Sequence, residues 1–392
     1  MNQMILHTPE GLRDIYAGEC ERKQILEQRI HQVLVSYGYR DIETPTFEYF
    51  DVFSKEVGTI PSKDLYKFFD REGSTLVLRP DFTPSIARAA SRYFRDAEHT
   101  IRLCYQGNTF VNYSSLQGRM KENTQMGAEL IGEPEVDADA EAIALATECM
   151  KISGLRDFQI SIANAAFFES LAEEAGISPE TAEELRVLIR NHNTFGVNSL
   201  AASLDIDEKT AHILTSLTTL AGGREVLDRA SDMTQGLEAH KAVMRLTEVF
   251  ELLRLYGLEE YVNFDFGMLS AYNYYTGIIF RGYTYGTGEA LVKGGRYDTL
   301  LSHFGMDAPA IGFAVVTGQL MNALQRQKIE ILPEHERYLI LYHADSRALA
   351  HKKAVAYRAQ GKCAELMLID EEETYSDDFY RREGGYAAVV RL

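Results

Sequence analysis

Apolar residues along this chain change their spacing several times, and each change marks an element. From about Glu21 to Tyr37 they fall at Ile25, Leu26, Ile30, Val33 and Leu34, the spacing of one helix face, and Gly38 stands where a left-handed residue would end it. Ahead of this helix, Thr8 to Ile15 carries Pro9 and Gly11 and reads as a turn leading in. Gly38 to Pro45 turns extended, and short strand-like runs follow at Thr75 to Leu78, Thr100 to Val111 and Gln125 to Ile131. Asp137 to Ile152 is alanine-rich and helical, and Phe158 to Ala163 returns to a strand.

Between about Ser178 and Gly257 the strand pattern stops. Ser178-Pro179 has the form of a helix start, a capping residue before proline, and Leu185, Leu188 and Ile189 then repeat at helical spacing, as do Leu246, Val249, Phe250 and Leu253. Strand-like sequence resumes at Val262 to Met268, Gly277 to Tyr285 and Glu289 to Val292. Lys293 to Asp298 follows, and Pro309 to Ala314 leads into a helix around Leu320 to Leu324. Beyond the connector Ile331 to His335, a small β-α-β pattern runs through Tyr338 to Tyr342, Ala348 to Gln360, Glu365 to Ile369 and Ala387 to Val390. Strands separated by runs of helix, without regular β-α alternation, predict an α+β core. The expected organisation is a core over 1–330 with a helical insertion at about 178–257, then a small α/β unit over 334–392.

Composition narrows the class. The chain has 392 residues, room for two or three domains, with 45% apolar and 25% charged residues, an ordinary globular balance. Its formal net charge is −18, and its basic residues form no cluster beyond pairs such as Lys352-Lys353 and Arg381-Arg382. Affinity for a nucleic-acid backbone comes largely from phosphate neutralisation, so this balance argues against tRNA as a partner. No apolar run approaches the roughly 18 residues of a membrane span, and no basic-then-apolar leader opens the chain. Cys20, Cys104, Cys149 and Cys363 show no Cys-x-x-Cys spacing, which disfavours a disulfide framework or zinc site and points to the cytoplasm. No cofactor is expected.

The candidate chemistry lies in four stretches. Leu78-Arg79-Pro80-Asp81-Phe82-Thr83 places an acid at a strand end, where it could cap the strand, pair with Arg79, or meet a ligand ammonium. Gln125 and Glu129, four apart in Thr124 to Gly132, point to one side of a strand. Tyr274 and Tyr275 stand in Asn273 to Gly277, and Gly294-Gly295-Arg296-Tyr297-Asp298 follows. Carboxylate and phenol groups together suit an imidazole, which offers an N–H donor.

With Gly107 to Tyr113 and Gly118-Arg119, these stretches closely resemble the ATP- and histidine-binding core of histidyl-tRNA synthetase, a class II aminoacyl-tRNA synthetase, over roughly residues 8 to 325. The resemblance implies a six- or seven-stranded antiparallel sheet flanked by helices. It also implies a homodimer, with Gly38 to Pro45 similar to the interface motif. Asp81 and Thr83 would contact the amino acid's α-amino group, Gln125 the bound amino acid, and Glu129, Tyr274 and Tyr275 its imidazole. Where that family has arginines that serve the nucleotide, this chain holds Val111, Ser270 and Gln319. The unit after 333 has about half the length of the family's anticodon-binding domain. A kept histidine pocket on a disabled synthetase core resembles the ATP phosphoribosyltransferase regulatory subunit family. That resemblance implies no catalysis, a hetero-oligomer with the short-form catalytic subunit, and histidine as feedback ligand. The alternatives are a divergent histidyl-tRNA synthetase and a stand-alone histidine sensor.

Overall fold

The computed structural model describes residues 6–53, 60–113, 119–270, 274–332, 335–370 and 375–392; Gly118, 271–273 and 333–334 lie outside them. The chain divides into two units, Met1–Ile15 with Leu26–Glu330, and Tyr16–Ile25 with Ile331–Leu392. No helix among the described residues is long and apolar enough to cross a membrane.

Helix α1 (Ala17–Ser36) ends before Gly38, whose φ of +85° is the left-handed turn the sequence predicts. Strand β1 (Arg40–Asp41) follows. A small antiparallel sheet of β2 (Phe47–Tyr49), β3 (Lys67–Phe69) and β4 (Thr75–Leu78) is ordered β2-β4-β3. Helix α2 (Thr83–Tyr93) has Pro84 in its first turn, where a missing N–H costs nothing, and buries Ile86, Ala87 and Ala90. Strands β5 (Ile101–Phe110) and β6 (Glu122–Ile131) pair antiparallel along their full length, and α3 (Val136–Ile152) leads to β7 (Phe158–Asn164).

After α4 (Ala165–Glu174), helices α5 (Pro179–Arg190), α6 (Thr194–Ala201) and α7 (Glu208–Ser216) open the expected helical insertion. Side chains of Ser178, Asn193 and Asp207 cap three of them, each accepting a first-turn N–H. The insertion is not purely helical. Strand β8 (Ala221–Gly222) precedes α8 (Arg224–Thr234) and α9 (Ala239–Leu255), and it pairs with β9 (Val262–Asp265). Two residues are too few to show a strand period in the sequence.

Strands β10 (Ile278–Thr284), β11 (Val292–Arg296) and β12 (Ala310–Val316), then α10 (Thr317–Arg326), complete this unit. The expected strand Glu289 to Val292 is displaced: β11 begins at Val292 and runs through the glycine pair. A Cβ on Gly294 would lie 2.3 Å from the Phe280 ring, and one on Gly295 would lie 2.6 Å from the Tyr275 ring. These glycines serve close packing inside a strand rather than a turn. The sheet order is β1-β5-β6-β12-β11-β10-β7-β9-β8. Its six middle strands are antiparallel, as the synthetase resemblance implies, but the sheet is larger than expected and its edges add parallel pairs β1–β5 and β7–β9.

The second unit holds β13 (Arg337–Tyr342), α11 (Arg347–Ala359), β14 (Cys363–Leu368), α12 (Asp377–Gly384) and β15 (Ala388–Arg391). Its three strands are parallel, with β13 in the middle. Alternate β13 residues serve opposite faces: Leu339 and Leu341 pack with Tyr380 of α12, and Ile340 packs with Ala350 and Ala354 of α11. Helix α12 has only Tyr380 buried, which is why no apolar period announces it.

Candidate functional site

The two faces of the large sheet have different tasks, and adjacent residues at the end of β11 divide between them. Arg296 turns to α3, where its Nε donates to Asp139 Oδ1 at 2.7 Å. Tyr297 turns the other way, packs in the cluster formed by Phe82, Ile86 and Tyr105, and donates its hydroxyl to Glu129 Oε2. On that second face a cleft is lined by Asp81, Thr83, Gln125, Tyr274, Tyr275 and Lys293, with Tyr297 and Gly312 among the rest of its wall. Five of the six candidate ligand residues thus meet, although up to about two hundred positions separate them.

The sixth, Glu129, lies beneath the cleft. It is 1% exposed, and its carboxylate accepts from Thr83 Oγ1 at 2.8 Å as well as from Tyr297. Register places Gly312 of β12 opposite Glu129 of β6, and a Cβ there would lie 1.6 Å from Glu129 Oε2. Glycine makes the room for this carboxylate. Gly312→Ala is therefore expected to push Glu129 out of its hydroxyl pair and lower the thermal unfolding midpoint by several degrees; a calorimetric scan with an unchanged midpoint would contradict this account. Burial pushes the Glu129 carboxyl up to about 8, against the pull of its two hydroxyl donors.

Asp81 follows β4 at the start of α2. Its carboxylate accepts from the Thr83 N–H at 3.4 Å and from the Tyr274 hydroxyl at 3.5 Å. Burial also raises its proton affinity, partly offset by these donors and by the charge of Lys293. Arg79 is not its counter-ion: Arg79 donates to the carbonyls of Asn108 and Thr44, each at 2.8 Å, and its guanidinium lies 4.1 Å from the Phe82 ring. The amide of Gln125 presents a buried Oε1 with no partner among the described residues. Such an orphan in a polar cleft invites a donor from a ligand. Tyr274 and Tyr275 form a tilted ring pair with centroids 4.5 Å apart, and Tyr297 meets Tyr274 edge-on.

Tyr297 and Lys293 belong to the site, and sequence reasoning assigned neither a role there. Tyr297 lay within the Gly-Gly-Arg-Tyr-Asp stretch, so its neighbourhood was visible. Lys293 had no sequence signal, because a charged residue before two glycines reads as solvent-exposed. Among the described residues lining the cleft, Lys293 is the only cation. Val111 is buried at the end of β5, Ser270 is half-buried, and Gln319 sits in the first turn of α10; none of the three lines the cleft. A larger hollow, about 380 Å³, lies at the other end of β5 and β6 beside Arg95, His99 and Asp307 and contains none of the candidate residues.

The six-stranded antiparallel core with a cleft on one face is that of a histidyl-tRNA synthetase-like protein: the family model described as Histidyl-tRNA synthetase matches residues 11–320. A histidyl-tRNA synthetase from Nostoc shares this fold at 21% identity, with a TM-score of 0.81 over 98% of this chain and 91% of that one. The chain belongs to the ATP phosphoribosyltransferase regulatory subunit family. The member from Acetivibrio thermocellus is 40% identical over 366 residues, 93% of this chain and 88% of that protein. The crystal structure of an ATP phosphoribosyltransferase regulatory subunit/histidyl-tRNA synthetase from Bacillus halodurans has a TM-score of 0.86 at 33% identity, covering 99% of this chain and 98% of that one.

Proposed function

We propose that this chain is a non-catalytic regulatory subunit of ATP phosphoribosyltransferase, serving the first step of histidine biosynthesis, and that its cleft takes histidine as a feedback ligand. The inventory of charges in and around the cleft carries the reading. Adenylate formation builds negative charge on the α-phosphate, and preorganised cations supply much of its stabilisation, each donor being worth ~10²–10³ in rate. At the positions the synthetase resemblance matches to arginines, this chain holds Val111, Ser270 and Gln319. The cation lining the cleft, Lys293, is itself pushed toward its neutral form by burial and by nearby Arg281 and Arg119. The acceptors that suit an amino acid, Asp81 and Gln125, remain.

In this reading the chain forms a homodimer inside a larger assembly with the short-form catalytic subunit, and the 334–392 unit takes no part in anticodon recognition. Histidine regulates only if it binds two states of the assembly with different affinity. Purified protein is expected to give no histidine-dependent pyrophosphate–ATP exchange, and Val111→Arg is expected not to restore it, because two other positions lack their arginine. The same protein added to a short-form phosphoribosyltransferase is expected to raise its turnover, and histidine to lower it again. Measurable exchange by the wild-type chain, or no effect on the transferase, would overturn the proposal.

A further inference from the structure

An α-amino acid carries an ammonium and a carboxylate on the same carbon, and any cleft that binds it in a partly buried setting must answer both charges. Asp81 and the orphaned Oε1 of Gln125 answer the ammonium. The groups assigned so far leave the carboxylate without a cation.

Lys293 stands on β11 between Arg281 of β10 and Ala314 of β12, and its side chain lines the cleft with Asp81 and Gln125. Its ammonium has no hydrogen bond or ion pair among the described residues. Glu289, whose charge also acts on Lys293, is held by Arg119 at 3.0 Å. A half-buried ammonium without a fixed acceptor is costly, and a ligand carboxylate would relieve it.

We propose that Lys293 binds the carboxylate of the ligand while Asp81 and Gln125 hold its ammonium, so that the cleft selects a free α-amino acid over the corresponding amine. This rests on the histidine-binding reading above and adds the residue that enforces it. Lys293 offers the carboxylate one mobile charge on a flexible stem rather than the planar fork of an arginine.

Calorimetric titration of the full chain with histidine and with histamine, which keeps the imidazole and ammonium but lacks the carboxylate, separates the possibilities. Wild-type protein is expected to prefer histidine by roughly 10- to 100-fold, the worth of a charge-assisted hydrogen bond. Lys293→Met is expected to erase that preference, with histamine affinity held within about twofold because its own contacts are untouched. Lys293→Arg keeps the charge and is expected to keep the preference. A Lys293→Met protein that retains the preference, or loses both ligands equally, overturns the assignment, as does a wild-type protein that binds both ligands alike. Wild-type protein that binds neither ligand removes the histidine-binding reading itself, and this inference with it.

Discussion

Glu129→Gln is expected to weaken histidine binding by ~1–3 kcal/mol and, at the same time, to make the empty protein more stable in alkali. Both effects follow from one buried carboxyl. When Glu129 is ionised, the hydroxyls of Thr83 and Tyr297 both donate down to it, which leaves oxygen lone pairs facing the cleft. When it is protonated, one hydroxyl must accept from it and turns its own hydrogen elsewhere. A ligand that offers N–H groups therefore selects the ionised form.

The sign follows from the carboxyl's position near 8 in the empty cleft, above its ordinary value of 4.5. Between those two values the folded state holds a proton that the unfolded chain has released, so this group's contribution is fully present below pH 4.5. It is lost as pH rises toward 8, by roughly 5 kcal/mol in all. Urea midpoints from pH 6 to 9 should fall in the wild type and stay flatter in Glu129→Gln. Histidine affinity of the wild type should rise from pH 7 to 8, with proton release visible as different heats in phosphate and Tris buffers. A wild-type affinity independent of pH in this window would show that Glu129 does not direct the cleft hydroxyls.

Asp139→Ala is expected to cost ~3–5 kcal/mol of stability. Asp139 is fully buried on α3 and accepts from Arg296 Nε at 2.7 Å and Arg245 Nε at 2.6 Å, which joins α3, β11 and α9. Its removal leaves the Arg296 guanidinium, 3% exposed, with only the carbonyls of Glu133 and Glu135 and the partly exposed Asp298. Asp139→Asn keeps one acceptor oxygen and should lose less. Because Tyr297 follows Arg296 directly, loosening this ion pair should also weaken histidine binding. Urea denaturation would check the first effect and calorimetry the second; a stability loss under about 1 kcal/mol would mean that the pair contributes little beyond its own desolvation.

Local elements were legible where packing agrees with sequence neighbours. The strand Thr75–Leu78 and the helix Val136–Ile152 stand where the apolar period placed them, give or take one residue. The candidate ligand residues were legible through the synthetase resemblance, and the sheet brings Asp81, Thr83, Gln125, Tyr274 and Tyr275 to one cleft. Elements failed to show where the local signal was weak or ambiguous. The expected strand stopped at Val292, but Gly294 and Gly295 pack inside β11 against aromatic rings, and α12 buries one side chain in eight residues.

The amino-acid sequence alone carried the periodicities of the helices and strands and the acidic balance. It could not say that Glu129 lies below the cleft floor or that Lys293 reaches into it. Those facts depend on which strands neighbour one another, β6 beside β12 and β12 beside β11, and on a register that sets Gly312 against Glu129 and Ala314 against Lys293. A one-residue slip in either pairing would send these side chains to the opposite face. Strand order and register arise from contacts across long sequence separations, and only the folded chain contains them.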